Sequence, residues 1–181
     1  MGLFDMFKKK GADAAPSEPA APASVNAKAS DDVLCAPVSG KLIAMTEVPD
    51  PVFGGEVLGR GCAVWPEDDV VYAPADGTIT VTMGHAMGIM SKSGVEVLVH
   101  CGVDTVNLQG KGFKAFAKQG DEVKAGQPLL KMDREVIAEA GYKDCVVLAV
   151  SNTADFASVD MTVEAGSQVS AGDAVVAVAR K

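Results

Sequence analysis

The sequence predicts an all-β domain: duplicated β-hairpin units packed as a β-sandwich or flattened barrel, with one short helix. Three observations predict it. From Val33 onward, short runs rich in Val, Ile, Leu and Ala alternate with Gly, Pro and Asp, at strand lengths with turn punctuation. The element A-P-x-x-G-x-apolar occurs twice, as APVSGKL (Ala36–Leu42) and APADGTI (Ala73–Ile79). A longer element, G-x-x-V-x-A-G-x-x followed by two apolar residues, also occurs twice, in QGDEVKAGQPLL (Gln119–Leu130) and AGSQVSAGDAVV (Ala165–Val176).

Taken in order, residues 1–10 (MGLFDMFKKK) place Leu3, Phe4 and Phe7 at helical spacing ahead of Lys8, Lys9 and Lys10. That pattern suits a short amphipathic segment making peripheral contact with an anionic membrane surface, and it also reads as a disordered start. Met6 stands where a myristoylation signal needs Ser or Thr. Residues 11–32 are dominated by Ala, Pro and Ser without an apolar period and are expected to be a flexible tether. The domain proper is expected over residues 33–181. Its strands are read at KLIAM, CAVW, VVYA, TITVT, VEVLVH, PLLKM, CVVLAV and AVVAVA. The helix is read at DREVIAEAG, with Asp133 to cap it and Gly141 to end it.

Composition narrows the function. The formal charge is −8, and residues 1–10 carry a net +2, which leaves −10 for the rest. A body that acidic argues against nucleic acid and for a basic protein partner. The four cysteines form no C-x-x-C pair, so zinc-finger and thioredoxin chemistry are not expected, nor is a disulfide framework. No secretory signal and no run of membrane-spanning length is visible, which leads to the expectation of a cytoplasmic protein.

Chemistry concentrates in GVEVLVHCGVDTV (Gly94–Val106). Strand alternation puts Glu96, Leu98 and His100 on one face and Val95, Val97 and Val99 on the other, so the valines can face the core and His100 away from it. Gly102 lets the chain turn beside the imidazole without a side chain crowding it. The second histidine of the chain, His85, lies upstream in MGHAMGIM. If Ala86–Ser91 pairs with Val95–His100, the two imidazoles meet. Two facing histidines suit either metal binding or histidine-mediated group transfer. Asp104 offers a third zinc ligand, or orients an imidazole, or serves a turn.

GVEVLVHCGVDTV with MGHAM upstream resembles the glucose-type enzyme IIA proteins of the bacterial phosphoenolpyruvate-dependent sugar phosphotransferase system. The resemblance extends through MGLFD, APVSGKL, VPDPVF, APADGTI, VSN (Val150–Asn152) and VSAGDAVVAV. It implies a β-sandwich phosphotransferase component in which His100 accepts a phosphoryl group from the histidine-containing phosphocarrier protein. His85 then supports its donation to the IIB domain of a IIB/IIC sugar permease. Phe53, Val57, Leu58, Leu98 and Val106 match the apolar rim that receives both partners. No cofactor is required, although relatives offer these two histidines to zinc at a regulatory interface, with regulated transporters or kinases as further partners. This sequence departs from the family at Met83-Gly84, where Thr-Asn is frequent, and at Cys101, where a bulky apolar residue is usual. Thr82 is the hydroxyl nearest in sequence to stand in for the missing threonine. Two other classes share parts of the pattern. A lysostaphin-type zinc metallopeptidase would use His100 and Asp104 in H-x-x-x-D, but its downstream H-x-H is absent. A biotinyl or lipoyl carrier would need a lysine at a hairpin tip, and Lys131 in LLKMD reads as strand.

Overall fold

The structure, a computed structural model, describes residues 20–181; the segment expected at residues 1–10 lies outside the described residues. Fourteen strands follow in chain order: β1 (Val33–Cys35), β2 (Gly40–Ala44), β3 (Arg60–Pro66), β4 (Val70–Tyr72), β5 (Gly77–Met83), β6 (Ala86–Ser91) and β7 (Glu96–Cys101), then β8 (Phe113–Ala115), β9 (Glu122–Val123), β10 (Pro128–Met132), β11 (Val146–Val150), β12 (Phe156–Met161), β13 (Gln168–Val169) and β14 (Ala174–Arg180). All pair antiparallel. One eight-stranded sheet has the order β13-β2-β3-β11-β7-β6-β5-β9, and two three-stranded sheets have the orders β1-β14-β12 and β4-β10-β8.

The main core lies on the inner face of the large sheet. Val95, Val97, Val99 and Cys101 from the β7 segment pack there with Val146, Leu148 and Val150 of β11 and with Leu129, Leu130, Val175 and Val176 from the smaller sheets. The alternation read in VEVLVH is the alternation observed. A second, smaller cluster covers the outer face: Ile43, Met45, Val48, Phe53, Ala63, Val103, Cys145, Val147 and Ala149. This is why β11 is buried along its whole length on both faces and reads as an uninterrupted apolar run.

The sequence repeats are structural repeats. The Gly126 amide donates to the Ala73 carbonyl at 2.8 Å, and the Gly172 amide donates to the Ala36 carbonyl at 3.0 Å. In return Ala73 donates to Gln127 and Ala36 to Asp173, both at 2.8 Å. A polar side chain closes each unit in the same place: Asp76 Oδ1 accepts from Ala125 N at 2.8 Å, and Ser39 Oγ accepts from Ala171 N at 2.9 Å. The two A-P motifs then bond to each other, Cys35 N to Pro74 O and Tyr72 N to Pro37 O. Each A-P-x-x-G is thus held by an A-G turn. The resulting pairs β2–β13 and β5–β9 occupy the two edges of the large sheet.

Two features extend the sequence reading. The tether expected over residues 11–32 does not stand free throughout. Val25 N donates to Gly126 O at 2.9 Å, Lys28 N donates to Gly172 O at 2.8 Å, and Lys28 Nζ pairs with Asp173 at 3.0 Å. Both glycines have positive φ (+85° and +92°), and a Cβ on either would lie 2.2 Å from a strap carbonyl. Docking through backbone hydrogen bonds and one surface ion pair leaves no apolar period, so composition could not show it. The second feature is a one-turn helix, α1 (Pro51–Gly54), in addition to the expected α2 (Arg134–Glu139). Asp50 caps α1, accepting from Val52 N at 2.8 Å and Phe53 N at 2.9 Å, with Pro51 in the first turn. Asp133 caps α2 in the same manner, accepting from Glu135 N and Val136 N.

Candidate functional site

Cross-strand register assembles one row on the outer face of the large sheet. Ile43, Ala63, Val147, His100, Ala86 and Met83 are successive partners across β2, β3, β11, β7, β6 and β5. Partnered residues share a face, so His100 rises from an apolar floor, with the small Ala86 beside it. His85 sits in the turn joining β5 to β6, and its carbonyl accepts from Cys101 N at 2.8 Å. The expected pairing of Ala86–Ser91 with the His100 strand is present, and the imidazoles meet edge to face with centroids 4.7 Å apart.

Three neighbours fix His100. Its Nδ1 lies 2.8 Å from the Gly102 carbonyl, which can only accept, so Nδ1 carries the proton and Nε2 keeps the lone pair. Gly102 has φ +83°, and a Cβ there would lie 2.4 Å from Thr105 Cγ2. The Phe53 ring stands 4.8 Å from His100, tilted by 55°, delivered by the capped turn α1. Burial, followed by repulsion from His85, pushes the His100 pKa down to about 4, against opposing contributions from the Gly102 carbonyl and Asp50. Burial also lowers the pKa of His85. Both rings are therefore neutral bases near pH 7.

Of the residues expected at the rim, Val57, Leu58 and Val106 are exposed, Leu98 is partly buried, and Phe53 is buried as a wall against His100. Asp104 begins a 3-10 turn (Thr105–Leu108) in the left-handed region at φ 60°, and its carboxylate bonds to neither imidazole. Thr82 does not replace the orienting hydroxyl: it pairs with Met87 on the inner face, and its Oγ1 has no partner. Gly84 has a reason of its own, since a Cβ there would lie 2.6 Å from Gly110 Cα. Cys101 is fully buried in the main core, with its side chain turned away from the site. Sequence reading missed Val52, Val81 and Met83, all exposed apolar residues flanking the histidines. Only the register of β5 against β6 shows that the last two share the face of the histidines. An apolar groove of about 340 Å³ lined by Leu58, Val81, Gly88 and Leu98 continues this face.

For metal, the site offers two imidazole nitrogens, and among the described residues no group of three or more His, Cys, Asp or Glu side chains could hold an ion. A four-coordinate zinc ion does not fit this chain alone. Lys131 lies within β10, not at a hairpin tip.

The fold is a duplicated antiparallel β architecture that brings two neutral imidazoles together on an apolar sheet face. A sequence model of the family described as "phosphoenolpyruvate-dependent sugar phosphotransferase system, EIIA 1" matches residues 32–156. The glucose-specific EIIA component of Bacillus cereus is 38% identical over 141 residues, which are 77% of this chain and 86% of that one. The N-acetylglucosamine-specific EIICBA component of Klebsiella pneumoniae is 37% identical over 152 residues, 83% of this chain and 23% of that longer protein. Among solved structures, glucose permease IIA from Mycoplasma capricolum superposes with a TM-score of 0.68 at 35% identity, covering 80% of this chain and 93% of that one. The chain belongs to the EIIA 1 family of the sugar phosphotransferase system, and it is of the glucose type.

Proposed function

We propose that this phosphotransferase component is a cytoplasmic phosphoryl carrier. His100 accepts the phosphoryl group from the histidine-containing phosphocarrier protein and passes it to the IIB domain of a glucose- or N-acetylglucosamine-type permease. The observation that carries the reading is the Gly102 carbonyl 2.8 Å from His100 Nδ1, which leaves Nε2 as a free nucleophile in an apolar setting. The Nε2 lone pair attacks phosphorus. The partner's N–P bond breaks, and its electron pair returns to the partner imidazole. His85, edge-on to His100, donates to the phosphoryl oxygens and balances charge when the group leaves. The exposed apolar residues Val57, Leu58 and Val106, with Leu98 and the wall Phe53, dock both partners and exclude water from a hydrolysable bond.

Fusion of this module to IIB and IIC in relatives such as the glucose-specific EIICBA component of Staphylococcus carnosus supports the acceptor. The reaction needs no cofactor. A zinc ion shared by His85 and His100 at an interface with a regulated transporter or kinase would need the partner to complete its coordination, and a phosphoryl group on His100 would deny it a nitrogen. Residues 1–10 are proposed to add peripheral membrane contact. Incubation with phosphoenolpyruvate, enzyme I and the phosphocarrier protein tests the reading by intact mass. One phosphoryl group is expected on the wild type and none on His100→Gln. An unmodified wild type overturns it.

A further inference from the structure

The large apolar side chains exposed among the described residues are Val52, Val57, Leu58, Val81, Met83 and Val106. They come from α1 and the turn after it, from the end of β5 and from the 3-10 turn after β7, the elements that frame His85 and His100. Five of the six are saturated hydrocarbon and inert to mild oxidants. Met83 carries a thioether, is 49% exposed, and shares the His100 row with only the small Ala86 between them. Met45, Met87 and Met132 are buried at 2% exposure or less, and Met90 and Met161 are partly covered. We infer that Met83 is a peroxide-sensitive modification site, at which oxidation to the sulfoxide weakens docking of the phosphoryl-transfer partners. The inference rests on the carrier reading above.

In the step itself, the thioether sulfur attacks one peroxide oxygen. An S–O bond forms, the O–O bond breaks, and water leaves after proton transfer. Sulfur is oxidised by two electrons and the peroxide is reduced by two. An apolar, flexible side chain becomes a polar one that a dry interface must desolvate. The thiols do not compete. All four cysteines are fully buried, and burial raises the pKa of each, to about 11 for Cys35 and about 12 for Cys62 and Cys145, so little thiolate exists to react.

The test exposes the full chain to hydrogen peroxide, locates added oxygen by peptide mass spectrometry, and measures phosphoryl acceptance against phosphocarrier concentration. Met83 should be modified ahead of Met90 and Met161. The half-saturating concentration should rise roughly tenfold while the saturated rate changes little. Met83→Leu, compared with its own untreated sample, should show no such rise. Unchanged half-saturation after conversion of Met83, or an equal rise in Met83→Leu, overturns the inference and leaves the carrier reading standing. Untreated protein that accepts no phosphoryl group overturns the carrier reading, and this inference with it.

Discussion

The imidazole of His100 is uncharged at neutral pH because burial and the neighbouring His85 disfavour its cation, and its proton-bearing nitrogen is set by the Gly102 carbonyl. A depressed pKa has a definite sign in stability. Between the ordinary 6.5 and about 4, the unfolded chain binds a proton at His100 and the folded chain does not. Stability should therefore fall as pH is lowered through that window, with no further contribution from His100 below it. His100→Gln should flatten this part of the profile, measured as thermal midpoint against pH for both proteins; identical slopes would contradict the assignment. In the proposed carrier the two histidines also differ in task. His85→Gln keeps a donor near the phosphoryl oxygens but cannot become cationic. Acceptance from the phosphocarrier should survive in it, while donation to IIB falls by roughly a hundredfold. Rapid-quench measurement of each half-reaction checks this, and equal loss in both would make His85 part of the acceptor. His100 was legible in the sequence because an apolar strand has little use for a histidine, and His85 because it is the second of only two histidines and lies close upstream. Met83 and Val81 were not, because exposure of an apolar residue shows only once the register of β5 is known.

Hairpins and turns carry the rest of the site. Eight apolar runs became β2, β3, β4, β5, β7, β10, β11 and β14. Strands of two or three residues, such as β9, β13 and β8, carry too few side chains to show a period; β9 and β13 run into the A-G turns, and β8 is held by pairing with β10. The turn α1 had a local signature in Asp50-Pro51, yet its purpose, holding Phe53 against His100, needed the tertiary contact. The docked segment Val25–Lys28 was hidden because its amides bond to backbone carbonyls of Gly126 and Gly172 and its one side-chain partner is a surface ion pair, none of which leaves an apolar pattern. The amides of Val25 and Lys28 should exchange with solvent slowly, and Asp173→Ala, which removes the partner of the Lys28 ammonium, should speed exchange at Lys28. Hydrogen exchange read residue by residue checks this. Rates of an unstructured peptide at both amides would mean that the strap is not held.

Across the whole molecule, duplication and asymmetry divide the work. The repeated A-P and A-G elements build the frame symmetrically, while the histidines, α1 and the outer apolar cluster belong to one face and have no counterpart in the repeats. The proposed transfer site therefore sits on the outer face of a sheet whose inner face holds the main core, so the proposed docking surface can vary with little cost to the fold. In the proposed carrier, the Gly102 carbonyl joins fold to chemistry by choosing which nitrogen of His100 reacts. Nuclear magnetic resonance of the phosphorylated, nitrogen-15-labelled protein tests it most directly. Phosphorus bonded to Nε2 of His100, with Nδ1 still protonated, is the predicted result; phosphorus on Nδ1, or on His85, would contradict it.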